Sequence, residues 1–197
     1  LFFVFEEAQT GTGEMIGIVA AIVILLIAFG SVIAMGLPIG TALFGLALGT
    51  SALGLVNYLI DIPSWAPQMV AMVGIGVGID YALFLVTRHR EYLAQGMTVQ
   101  ESVGRATATA GQAVIFAGGT VVIAILGLAV AGVPFLTAAG VATSLVVLVM
   151  VTAAITLLPA VLGLTGRRVN GIRSGRRREI DPTVSPRWEA WGRHVSR

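Results

Sequence analysis

Long apolar runs divide this chain. Residues 15–60 hold no charged side chain, and neither do residues 106–166. About twenty apolar residues cross the hydrocarbon core of a bilayer, so each run is too long for one membrane helix and suits two. Between them lies Ala66 to Arg90, APQMVAMVGIGVGIDYALFLVTRHR, an apolar stretch that runs into arginines. The pattern predicts five membrane helices, over about 15–34, 38–60, 66–87, 112–131 and 135–164. Gly36-Leu37-Pro38 is expected to separate the first two, because proline cannot continue a helical ladder but suits a first turn. Asp61-Ile62-Pro63-Ser64 is a polar turn, with Trp65 placed as an interfacial anchor.

The segment Arg88 to Ala110 reads as a polar linker on the membrane surface. Thr98 and Glu101 fit a capping box, in which each side chain satisfies the other's backbone amide. Val99, Val103, Ala106 and Ala110 then share a helical face, which suggests a short helix in the interface; a capped soluble turn is the alternative. Gly111 would turn this segment into the fourth span. Gly132-Val133-Pro134 makes a tight turn, and Pro159 is expected to kink or fray the end of the fifth span. Residues 1–13 read as an extracytoplasmic tail, 14–164 as the membrane bundle, and 165–197 as a basic tail. In that tail Arg167, Arg168, Arg173, Arg176, Arg177 and Arg178 cluster, and Trp188, Trp191 and Val195 recur at helical spacing, as in an interfacial helix.

Composition fits an all-α membrane protein: 56% of residues are hydrophobic, only 11% are charged, and cysteine is absent, so there is no disulfide framework. Every arginine lies either in the 88–110 linker or in the C-terminal tail, which five spans would place on one side. The positive-inside rule then puts the N-terminus outside the cell membrane and the C-terminus in the cytoplasm. A chain that starts without Met and shows no signal peptide reads as an internal fragment of a larger protein.

One acid, Asp80, sits inside a span. A carboxylate near the bilayer centre costs about 2.5–3.5 kcal/mol on insertion scales, so it needs a compensating interaction or a task. At 100° per residue it shares a face with Val73, Gly76, Val77, Leu83, Phe84 and Thr87. Gly74, Gly78 and Ala82 form a second stripe, which lets another helix approach closely. The third span is therefore expected to be buried among neighbours, with Asp80 facing protein or water roughly 5 Å on the cytoplasmic side of the midplane. Low dielectric disfavours the anion, and a carboxyl that loads and unloads a proton is what proton-driven transport needs. Tyr81 lies 100° away and would reach a carboxylate on a neighbouring helix instead of Asp80.

Other classes fit less well. A structural acid bonded to a neighbour's hydroxyl is the plain alternative. The glycines of GIGVGID lie within a span, not after a strand, so no dinucleotide site is implied. An intramembrane aspartyl protease needs two membrane carboxylates, and a metalloprotease needs a His and carboxylate cluster; neither is present in a span. No enzyme activity, metal or cofactor is expected. The arginines beside a span read as topology and anionic-lipid contacts, not as nucleic-acid binding. The threonines of the later spans line a wet path or, more often, bond their own helix.

The order of an acid opening the first span, FGS at 29–31, GLP at 36–38, GIGVGIDYALFLVTRHRE at 74–91, the AGQ start of the fourth span and LLPAVLGLTGRR at 157–168 resembles the MMPL (mycobacterial membrane protein large) family of the resistance-nodulation-division superfamily. The resemblance implies a twelve-span transporter in two six-helix repeats with large porter domains, exporting lipids and other hydrophobic molecules on the proton gradient. The five spans here would be the second to sixth of the first repeat. Asp80 and Tyr81 match the family's proton-relay pair, which faces an equivalent pair in the second repeat. Gly74, Gly76 and Gly78 would allow close helix approach around it. The implied partners are membrane lipids, a hydrophobic substrate, protons, and a second repeat or partner subunit. The same membrane core also resembles sterol-sensing domains, so a lipid- or sterol-binding module without proton coupling is the alternative function.

Overall fold

A computed structural model of the chain describes residues 10–170, 191 and 193–195. Five long α-helices follow one another: α1 (Thr10–Phe29), α2 (Val32–Val56), α3 (Ala66–Ala94), α4 (Val99–Leu126) and α5 (Pro134–Thr165). Short 3-10 segments, Gly127–Ala131 and Gly166–Asn170, follow the last two. The N-terminal tail up to residue 9 and most of the basic tail, including Arg173, Arg176 to Arg178 and Trp188, lie outside the described residues.

Four of the helical stretches, α2, α3, α4 with its 3-10 extension, and α5, are long and apolar enough to cross a membrane. Their outward surfaces are apolar too: Leu55 on α2 is 71% exposed and Phe116 on α4 is 76% exposed. A helix apolar around its whole circumference belongs in hydrocarbon. The molecule is an all-α membrane bundle.

Small residues set the packing. α5 is the central helix, touching α2, α3 and α4, while α1 packs mainly on α2. One buried cluster joins Ala82, Leu85 and Val86 of α3 to Ala110 and Val114 of α4 and to Val147, Val151 and Leu158 of α5. A second joins Leu53, Val70, Ala142, Val146 and Met150 across α2, α3 and α5.

Three boundaries differ from the pattern-based expectation. The first break falls at Gly30 and Ser31, not at Gly36-Leu37-Pro38. Gly30 adopts φ +59°, a left-handed conformation that glycine takes without a Cβ penalty. Ser31 then caps α2, its hydroxyl accepting from the Ala34 amide at 3.4 Å. Pro38 sits inside α2, fully buried. Second, α3 continues past its arginines to Ala94. Third, α4 is one uninterrupted helix: the expected surface helix and the fourth span are continuous, and Gly111 is buried within it instead of turning the chain. The capping box that starts α4 forms as the sequence suggests. Thr98 Oγ1 accepts from the Glu101 amide at 3.3 Å, and Glu101 Oε2 accepts from the Thr98 amide at 3.1 Å. Pro159 likewise stays inside α5, which runs on to Thr165.

Candidate functional site

The centre of α3 has two sides. Val70, Gly74, Gly78, Ala82, Leu85 and His89 face inward and are buried. At Gly78 an added Cβ would lie 3.0 Å from both the Ala42 Cβ of α2 and the Met150 Sδ of α5. At Gly74 it would lie 3.2 Å from Met150 Cε and Val146 Cγ1. At these two glycines both α2 and α5 press close on α3.

Asp80 follows Gly78 by two residues, and two residues turn a helix by about 200°. Burying Gly78 therefore points Asp80 outward. It is exposed, as are Gly76, Phe84 and Thr87 on the same face, and a Cβ added at Gly76 would meet nothing within 4 Å. Among the described residues no hydrogen bond or ion pair reaches the Asp80 carboxylate. The helix α3 is thus enclosed by neighbours on one side, and Asp80 lies on the other. Tyr81 is half-buried and turns toward α4, where Gly118 leaves room for its ring. Asp80 and Tyr81 are neighbours in sequence but do not pair.

Thr120, Thr137, Thr143, Thr152 and Thr156 each donate to the carbonyl four residues earlier in their own helix. The hydroxyl of Ser144 is buried without a partner among the described residues. An apolar groove of about 270 Å³ runs between α2 and α5, lined by Phe44, Leu48, Leu148, Ala153 and the bonded Thr152 and Thr156. No group of His, Cys, Asp and Glu among the described residues is arranged to hold a metal.

Two contacts at the arginine-bearing end leave no mark in the sequence pattern. Arg90 donates from Nη2 to the Phe29 carbonyl at 3.1 Å, and its guanidinium lies 5.2 Å from the centre of the Phe29 ring. It thus fills an orphan acceptor at the end of α1, where a cation also complements the helix dipole. Fully buried His89 contacts Ser102 of α4. The Ser102 hydroxyl donates its single proton to the His89 carbonyl at 2.7 Å, so its oxygen accepts from His89 Nδ1, also at 2.7 Å. Nε2 is buried without a partner among the described residues. Ser102→Ala would leave a buried N–H unpaired, at a cost of about 1–3 kcal/mol, whereas removing both polar partners together is nearly neutral. Ser102→Ala is therefore expected to lower the melting temperature in detergent more than the double variant His89→Leu/Ser102→Ala does. Equal melting of the two would refute this account of the contact.

The fold defines a polytopic membrane protein in which α3 turns one acid, Asp80, to the open side of the bundle. The family model for the MMPL family matches residues 4–197, and the chain belongs to that family. It is 43% identical over 187 residues to membrane protein YdfJ of Bacillus subtilis (strain 168), covering 95% of this chain and 25% of that protein. It is 40% identical to the putative membrane protein SCO6666 of Streptomyces coelicolor, covering 83% of this chain and 24% of that protein. It is 35% identical to the trehalose monomycolate exporter MmpL3 of Mycobacterium tuberculosis (strain ATCC 25618 / H37Rv), covering 84% of this chain and 18% of that protein. The chain thus spans about a quarter or less of the length of these relatives.

Proposed function

We propose that this chain is part of a bacterial membrane exporter of lipids or other hydrophobic molecules, driven by the proton gradient. Asp80 carries the proton, and Tyr81 is the hydrogen-bonding group that completes the relay with an acid outside this chain. The observation that carries this reading is an unpartnered carboxylate on the open face of a membrane helix. Facing lipid, such a group is costly. Covered by a second membrane unit that supplies a matching pair, it is a proton site. The names of related exporters support the substrate class. The arginine-bearing end of the bundle is then cytoplasmic.

One proton charge moving through about 100 mV supplies roughly 2.3 kcal/mol, enough to bias two transporter states by tens of fold. The test uses the full-length protein in liposomes containing a fluorescent phosphatidylethanolamine. Imposing a proton gradient is expected to accelerate lipid translocation, and a protonophore to remove the acceleration. A translocation rate indifferent to the gradient would rule out proton coupling. The apolar groove between α2 and α5 favours a second reading, a lipid-binding membrane module without coupling. In that case the labelled lipid binds and no gradient moves it.

A further inference from the structure

Tyr81 reaches the bundle interior at one place. Its ring leaves the open face of α3 and lies against α4 where the helix has no side chain. An added Cβ at Gly118 would stand 3.5 Å from the Tyr81 hydroxyl oxygen and 3.6 Å from Cε2, and would collide with Val151 Cγ2 of α5. Three helices therefore meet at this glycine: the phenol from α3, bare backbone from α4 and a branched side chain from α5. Gly118 and Val151 are buried. Among the described residues the Tyr81 hydroxyl has no hydrogen-bond partner, so packing alone holds the ring at this end. A hydroxyl held by shape and not by a bond stays free to bond elsewhere.

We propose that Gly118 is a positioning residue for the proton path: its bare backbone is the seat that fixes where the Tyr81 hydroxyl can sit. The inference rests on the reading of Asp80 and Tyr81 as that path. Any side chain at 118 must displace Val151, whereas its Cβ would only touch the phenol at ordinary contact distance. Gly118→Ala alone overfills the junction. Val151→Ala removes the colliding methyl groups, so a Val151→Ala background separates packing from positioning.

The test compares Gly118→Ala and Gly118→Ser, each combined with Val151→Ala, in the full-length protein in liposomes by infrared difference spectroscopy across a pH series. Two bands are followed. One is the tyrosine C–O stretch that disappears in Tyr81→Phe; the other is the protonated carboxyl stretch that disappears in Asp80→Asn. The serine hydroxyl would stand within reach of the phenol, and the alanine methyl group offers no bond. The serine variant is expected to shift the tyrosine band and to move the pH at which the carboxyl band appears by about half a unit or more, a difference of at least about threefold in proton affinity. The alanine variant should retain the parent values for both. Serine and alanine variants with the same spectra would overturn the seat. A shifted tyrosine band with an unmoved carboxyl band would also overturn the proposal while leaving Asp80 as the proton carrier. A carboxyl band that never appears across the series would instead sink the proton-carrier reading itself, with the tyrosine band still reporting on the seat.

Discussion

Asp80→Asn is expected to abolish gradient-driven export and leave the bundle as stable as before, or slightly more so. The substitution keeps the shape and removes the titratable group. Within this bundle the described residues offer the carboxylate no partner, so the substitution breaks no hydrogen bond or ion pair inside it. A neutral amide is also cheaper to hold in hydrocarbon than an aspartate, whose insertion near the bilayer centre costs about 2.5–3.5 kcal/mol. Asp80→Glu keeps the proton but lengthens the arm, and should retain a reduced fraction of the export. The measurements are lipid translocation by the full-length protein under an imposed gradient, and a melting curve of the same preparation. Gradient-driven export that survives in the asparagine variant would show that the proton travels elsewhere. A melting temperature that falls in step with export would make the acid structural. Undiminished lipid binding in a variant whose parent shows no response to the gradient would favour the lipid-binding module.

The second large effect is on assembly. Gly78→Leu should prevent the bundle from forming in its native arrangement, whereas Gly76→Leu, two residues away, should not. At Gly78 even a Cβ would press on Ala42, including its Cα at 3.2 Å, and on Met150. Backbone cannot yield as a flexible side-chain end can. Overpacking by a few methylenes costs about 1–3 kcal/mol even where neighbours can shift, a large share of the roughly 5–15 kcal/mol by which folded proteins are stable. Gly76 meets nothing within 4 Å and faces outward. Leucine there should fold normally and still lose gradient-driven export, because it would hold off whatever covers the Asp80 face. Size-exclusion profiles and melting curves separate the variants. A Gly76→Leu protein that exports at the parent rate would show that nothing packs on this face.

Much of this was legible from residue order, and the misses have physical reasons. Apolar runs, helical stripes and the Thr98–Glu101 cap are local, so they can be read along the chain. The inward stripe of Gly74, Gly78 and Ala82 and the separate face of Asp80 and Gly76 both follow from 100° per residue. Which of those faces the neighbours cover does not follow, because it depends on where α2, α4 and α5 lie. The first turn falls at a single glycine and not at the proline. Pro38 forfeits one ladder bond, while Gly30 supplies the positive φ that actually ends α1. His89 was hidden by its flanking arginines. Adjacent residues diverge by 100°, so a histidine between two arginines can point into the core while both neighbours remain outside it. Gly118 carried no signal of its own. Its importance comes from a tyrosine and a valine on two other helices.

The continuity of α4 has a mechanical consequence. A straight helix of 28 residues is about 42 Å long, well over the roughly 30 Å of hydrocarbon it crosses. With its apolar part in the hydrocarbon, its first turns, where Ser102 bonds α3, would project beyond the bilayer on the same continuous helix that carries Gly118. With no joint at Gly111, tipping the protruding end swings the far end across the opposite leaflet, as a lever does on its fulcrum.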